Sequence, residues 1–572
     1  MASRWTRVPS CEETTVSGES MMQRSYRITW PAAALAVFCS LTRLPCLSLA
    51  GAAVPTDNPL KKYDLKWIEE IAWTKVVDIT TMPGATAHER FEVAQKKLGK
   101  DGGVVYFPAG EYVFHDHLRL ARGVVIRGAD PTGSIDARDA KYLLGTRLTF
   151  PRYVPKFSGS GTPNETSFKG IHLADPAAAS NCGVVNVSIN RGHIHFGDDA
   201  EHRAGRNRIV CGCILQNAAL IDEHVPDARS GQHAWQRYTK WHQAAIHVYT
   251  GENTLVANNR FIPSTDSFLM PGYVLKANPR YGNKPIEVKE GVWFDYDNRP
   301  AICVNAYGIG GGGGEDPKGT PETYPHGFRK GIVIRDNYIY STGRTAIEFT
   351  GDGTVASFNV IRFKPDVVRH TNTGIHMVSG SSTNDNRAMT IRGWRYTVNG
   401  NDYEVYRNRV PGSPYYINDG EGLMHEGHVN STIKDSRIIN NKGNSYLSIF
   451  LTAGIDGLLV EGNDIRPQGP GTDTHISSIF VVSDRNWDRH YLRNVRIENN
   501  TTAGSGISII GAPAANNLVK GNRHVGDRPG VIVNGADARL ENNTGYTVEI
   551  PEIKKPLADP NRPSATAPAK GK

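Results

Sequence analysis

Asparagine returns along this chain at a spacing that few folds can accommodate. It sits inside short apolar phrases, VANNRFI (256–262), IRDNYIY (334–340), ASFNVIR (356–362), VYRNRV (405–410), VEGNDI (460–465), IENNTT (497–502), VKGNRH (519–524) and LENNTG (540–545). Asn337 and Asn359 are 22 residues apart, Asn500 and Asn522 again 22, and Asn522 and Asn543 are 21 apart. A period near 22 with longer interruptions is one turn of a solenoid per repeat. No turn of such a coil can bury its inner face alone, so its strands must hydrogen-bond to the turns before and after it, about 4.8 Å away. Asparagines fixed at one corner would then bond to one another up the stack, a ladder rather than a binding site.

Charge narrows the partners. Of the formal +8, residues 1–52 carry +2 and residues 551–572 carry +3, which leaves only +3 on the body of the chain. No basic run is interleaved with aromatic residues, so nucleic acid is not expected as a partner. Arg24 and Arg27 precede an apolar stretch from Trp30 to Leu41, with small residues around Ala50–Ala53. That is the layout of a secretory signal, and the stretch is too short for a membrane span. A secreted or periplasmic protein without a membrane span in its mature form is expected, its oligomeric state open. Past the signal, Cys182, Cys211, Cys213 and Cys303 are too few for a disulfide framework and read as buried thiols.

Residues 1–52 are thus the upstream extension and signal. Residues 53–99 form a helical lead-in, in which Leu60–Val76 and Glu89–Leu98 have helical spacing. The repeat domain covers 100–550, and 551–572, rich in Pro, Ala and Lys, is a disordered tail. After the second helix come GGVVYFPAGEYVF (102–114) and VVIRG (124–128), strand, tight turn and strand. A helix followed by these phrases resembles the opening of the pectate-lyase-like superfamily. The resemblance implies an all-β fold, a single-stranded right-handed parallel β-helix (solenoid) with a short N-terminal helical cap. Three insertions, 262–300, 308–330 and 379–402, interrupt the period, and in a solenoid insertions become loops on one face.

A second phrase repeats beside the asparagines: a small residue, an aliphatic, a polar residue and another apolar one. It reads GIHLAD (170–175), AIHVYTG (245–251), AICVNAYG (301–308), AIEFTG (346–351), GIHMVSG (374–380), GLMHEG (422–427) and YLSIFL (446–451). With the aliphatics inward, His172, His247, Cys303, Glu348, His376 and Met424 share one outward column, and Tyr249, Asn305 and Glu426 lie in a second. On this reading Glu348 and His376 are neighbours, with Glu426 beside them. Titratable residues crowd the middle turns, where INDGEGLMHEGH (417–428) adds Asp419, Glu421, His425 and His428.

Two carboxyl groups across a groove are what glycosidic hydrolysis needs, one protonated to assist the leaving oxygen and one ionised as base or nucleophile. Glu348 and Glu426 are the expected pair, Asp419 or Glu421 their substitutes, and His376 the group that tunes them. His247, Tyr249, Asn305, Arg344, Arg369, His425 and His428 are the expected contacts to a polysaccharide. Oxygen ligands from Asp419, Glu421 and Glu426 would suit calcium, but no loop has recognised calcium spacing, so neither metal nor cofactor is expected.

The superfamily includes hydrolases, lyases and non-enzymatic stalks, and its catalytic motifs are not matched here. Asp198-Asp199 stands without the other hydrolase motifs. VWFDYD (292–297) has tyrosine where a lyase signature has histidine, and RFKPDVVR (362–369) is spaced one residue too widely on each side of its proline. A secreted glycoside hydrolase is therefore the expected function, a lyase acting on a uronate polymer the alternative, and a non-catalytic glycan-binding β-helix the third reading.

Overall fold

The computed structural model describes residues 54–152, 169–175, 179–197, 205–218, 244–249, 251–270, 273–275, 284–288, 291–295, 300–305, 329–341, 345–365, 385–407, 419–426, 432–450, 454–468, 477–482, 491–513 and 516–551. Over these residues the chain winds as a right-handed parallel β-helix. Three long sheets of 15, 13 and 12 strands run its length, and strands in each pair in parallel with the turns before and after. Parallel neighbours joined by a crossover wind almost always to the right. Ile332–Arg335, Tyr338–Ser341 and Ile347–Asp352 form one turn, contributing one strand to each sheet.

Asparagine makes the corner. Asn259, Asn337, Asn359, Asn401, Asn441, Asn463, Asn500, Asn522 and Asn543 form one ladder, each side-chain amide donating to the Oδ1 of the next at 2.8–3.0 Å. The residue before each of them turns the chain through the left-handed region, with φ between 53° and 65°. That demand explains the Asn, Asp and Gly found there, and it makes Phe358, at φ 56°, an exception. The ladder member expected in VYRNRV is instead Asn401, and Asn408 lies outside the described residues.

Inside the three sheets runs a continuous apolar core, including Ile334, Ile347, Phe349, Ile391 and Leu423. The lead-in closes its first turn. Helix α1 (Ala87–Leu98) starts at a capping box between Thr86 and Glu89 and buries Phe91, Ala94 and Leu98 in the same core. Two boundaries differ from expectation. Val76–Asp78, inside the lead-in, already pairs with Gly103–Phe107, so the solenoid starts there. Leu60–Val76 is not one helix but two short 3-10 turns, Lys61–Tyr63 and Lys66–Glu70, because Asp64 takes φ 50° and ends the first.

Of the three expected insertions, 262–300 holds two antiparallel pairs, Ser267–Met270 with Gly291–Asp295 and Tyr273–Leu275 with Ile286–Val288. Most of 308–330 lies outside the described residues. The third is no insertion over its described part. Asp385–Trp394, Thr397–Asn399 and Asp402–Glu404 are a turn of the solenoid, one strand in each sheet.

Candidate functional site

The site candidates sit on the 13-stranded sheet. Its strands are β1 (Leu118–Leu120), β2 (Ile171–Leu173), β3 (Ile194–Phe196), β4 (Ile246–Val248), β5 (Ile302–Val304), β6 (Ile347–Asp352), β7 (Asp385–Trp394), β8 (Asp419–Glu426), β9 (Leu447–Phe450), β10 (Ile479–Val482), β11 (Gly506–Ile510), β12 (Gly530–Gly535) and β13 (Tyr546–Glu549). Alternation sends the aliphatic residues of each strand into the core and the residue between them outward. Register then lines up Arg119, His172, His195, His247, Cys303, Glu348, Thr390, Met424, Ser448, Phe480 and Ser508, one per turn.

This column corrects the expected neighbourhood of Glu348. The strand beside β6 is β7, and Thr390 stands level with Glu348. His376 therefore does not occupy the next strand position; it lies outside the described residues, as do Arg344, Arg369 and His428. The partner that the sequence did not suggest is Arg392. It lies level with Thr350, two residues on from Thr390, and forms a buried ion pair with the Glu348 carboxylate. On the other side Cys303 Sγ is 3.8 Å from Glu348 Oε2.

A second ion pair flanks Thr390 on the same strand. Arg387 bonds the Glu421 carboxylate, with which it is in register across β7 and β8, and its Nη1 also lies 3.5 Å from Thr390 Oγ1. Tyr446 donates its hydroxyl to Glu421 Oε1 at 3.0 Å. Both pairs are almost wholly buried, so each guanidinium supplies a large part of its carboxylate's solvation.

Glu426 closes β8 and is level with Phe450. The pairing of β7 with β8 runs from Asp385 with Asp419 to Ile391 with His425, and Glu426 is the next residue of β8. Its backbone is two strands across and two residues along from Glu348, about 12 Å away by ordinary strand spacings. Asp419 opens the same strand. His425 was expected among the substrate contacts, but it faces the other way. It alternates with outward Met424, lies level with Ile391 and Ile449 in the core, and bonds Tyr396 Oη through Nδ1 at 3.0 Å.

His247 and Tyr249 are buried together, ring centroids 4.7 Å apart, and Asn305 ends β5 in the left-handed region at φ 52°. Toward β1 the column becomes a cluster of imidazoles. His195 and His247 are 4.8 Å apart by ring centroid, His172 and His195 5.3 Å, and His172 Nε2 meets His193 Nε2 at 2.8 Å. Burial, then the imidazoles around it, keep His193 well below the usual histidine range. His195 was missed in the sequence because GHIHFG (192–197) has His193 where its neighbours carry a small residue, although Ile194-His195-Phe196 keeps the aliphatic, polar, apolar alternation.

Among the described residues no group of three or more His, Cys, Asp or Glu side chains is arranged to hold a metal ion. Nor is any described helix long and apolar enough to cross a membrane.

No family model matches the sequence, and no curated protein is significantly similar to it. Solved structures that the chain resembles include the surface adhesin PfbA of Streptococcus pneumoniae, at 12% identity over 83% of this chain and 93% of that one, TM-score 0.39. A PL6 alginate lyase in complex with a trisaccharide is 12% identical over 84% and 85%, TM-score 0.38. A tailspike protein of E. coli bacteriophage HK620 in complex with a pentasaccharide is 13% identical over 85% and 72%, TM-score 0.39. At these identities no residue's role passes from them to this chain.

Proposed function

We propose that this chain is an exported, carbohydrate-active enzyme that cleaves glycosidic bonds in a polysaccharide, with Glu348 as its reacting carboxylate. The observation that carries the reading is the Glu348–Arg392 ion pair on the outward column of the sheet, on the two strands before β8, which Glu426 ends. A carboxylate held in an ion pair suits the ionised half of a hydrolytic pair rather than the proton donor. Glu348 is therefore the base that takes a proton from water as the water oxygen joins the anomeric carbon. The bond from that carbon to the bridging oxygen breaks, and a protonated acid gives its proton to the departing oxygen. Glu426 is the acid in this scheme, since Glu421 is engaged by Arg387 and Tyr446. A backbone separation of about 12 Å is in keeping with the roughly 6.5–9.5 Å between carboxyls typical of inversion.

One observation favours elimination as the second reading. The imidazoles of His195 and His247 lead to Cys303 beside Glu348, and a neutral imidazole is the kind of base that removes a proton next to a uronate carboxylate. Incubation with a panel of plant and algal polysaccharides separates the two. New reducing ends without the ultraviolet absorbance of an unsaturated uronate support hydrolysis, and both signals together support elimination. Neither signal on any glycan counts against an enzyme.

A further inference from the structure

The histidine cluster at the N-terminal end of the sheet has no part in the hydrolytic scheme, though His195 and His247 enter the second reading, and its geometry has a consequence for the fold. His117 precedes β1, His172 lies on β2, His193 and His195 on and just before β3, and His247 on β4. Ring centroids of His117 and His172 are 4.1 Å apart, those of His172 and His193 4.9 Å, and those of His117 and His193 6.3 Å. The contact at 2.8 Å between His172 Nε2 and His193 Nε2 needs one nitrogen to donate and the other to accept, so the two rings cannot both be protonated and keep it. His117 accepts the Gly170 N–H through Nδ1 at 3.2 Å, which protonation of that nitrogen would also end.

Space gives no escape. A Cβ added at Gly170 would stand 2.3 Å from the His193 carbonyl and 2.8 Å from its Nδ1, so this ring is packed directly on the backbone leading into β2. Among the described residues, the charged groups acting on His117 are Lys169 and Asp116, paired with each other at 2.9 Å, and Arg119, level with His172 on β1. Two cations against one carboxylate oppose a further positive charge on that ring.

We infer that this cluster is an acid-sensitive latch: protonating its imidazoles opens β2–β4 while the C-terminal turns of the same sheet stay closed. An unfolded histidine takes up a proton near pH 6.5, whereas burial holds both His193 and His117 below that in the folded chain. The sign follows from linkage. The opened state binds more protons as pH falls below about 6.5, so the closed state loses stability in that window and regains it above.

Hydrogen exchange of the full chain tests this. Between pH 7.5 and 5.5, corrected for intrinsic rates, protection in 171–173, 194–196 and 246–248 should fall about tenfold for each histidine held neutral. Protection in 479–482 and 506–510 should not change. His193→Gln should lose a large part of the fall, and should that variant not fold, His117→Asn, at a partly exposed ring, should lose a smaller part of it. An equal fall in both regions, no fall in β2–β4, or a fall of wild-type size in the folded variant would overturn the latch. None of these readouts depends on which reaction, if any, the chain catalyses.

Discussion

Glu348 and Arg392 form a buried ion pair between adjacent strands of one sheet, offset by two residues so that Thr390, not Arg392, lies directly beside the glutamate. Removing one partner takes a charge-paired group from the other where solvent scarcely reaches. Arg392→Met should therefore cost about 3–5 kcal/mol. The double variant Glu348→Gln, Arg392→Met should recover part of that loss, because it removes both buried charges. Denaturant midpoints of the two single variants and the double variant measure the coupling.

The asparagine ladder sets a second expectation. Asn401 Oδ1 accepts both the backbone N–H and the side-chain amide of Asn359, while its own amide donates to Asn441 Oδ1 and the Ala356 carbonyl. Asn401→Ala leaves several of these buried groups unsatisfied and should cost about 3 kcal/mol or more. Asn→Ala at the half-exposed Asn543, where the ladder ends, should cost less.

Much of this was legible in the chain. The ladder is visible because αL backbone before each asparagine restricts the sequence to a few residue types. The strand phrase is less informative, since small, aliphatic, polar, aliphatic is what any strand with one buried face requires. GIHMVSG (374–380) fits it as well as AMTIRG (388–393), and only register shows that Thr390 adjoins Glu348. The 42-residue interval from Asn359 to Asn401 was the available sign that this turn departs from the period near 22. Arg392 and Arg387 were not foreseen because a basic residue on an outward position is ordinarily solvated, and their partners come from other turns. His425 misled through its company, standing in a run of acidic and glycine residues while its own parity pointed it inward.

Phe358 is the ladder corner's misfit. It holds φ 56° where equivalent positions carry Asn, Asp or Gly, and its side chain is 40% exposed. Relief of the left-handed strain should outweigh its contact with Arg335, so Phe358→Asn should stabilise the protein by about 1 kcal/mol. Thermal melting of this single variant is the check.

The four described cysteines are buried, and Cys182, Cys211 and Cys213 form no disulfide. Burial raises the Cys182 and Cys213 thiols and pushes Cys211 up to about 11. A raised thiol stays protonated below its pKa, so at pH 8 these three should resist alkylation in the native chain and react once it is unfolded. Mass spectrometry of labelled peptides reads this residue by residue.

The most direct test of the account is Glu348→Gln, assayed on the glycan that wild-type protein cleaves best. Gln keeps the shape and one acceptor for Arg392 but cannot take a proton from water. With melting behaviour confirming a folded chain, turnover should fall by about a thousandfold. A folded variant that releases reducing ends at a near-wild-type rate would contradict the assignment of Glu348 as the reacting carboxylate.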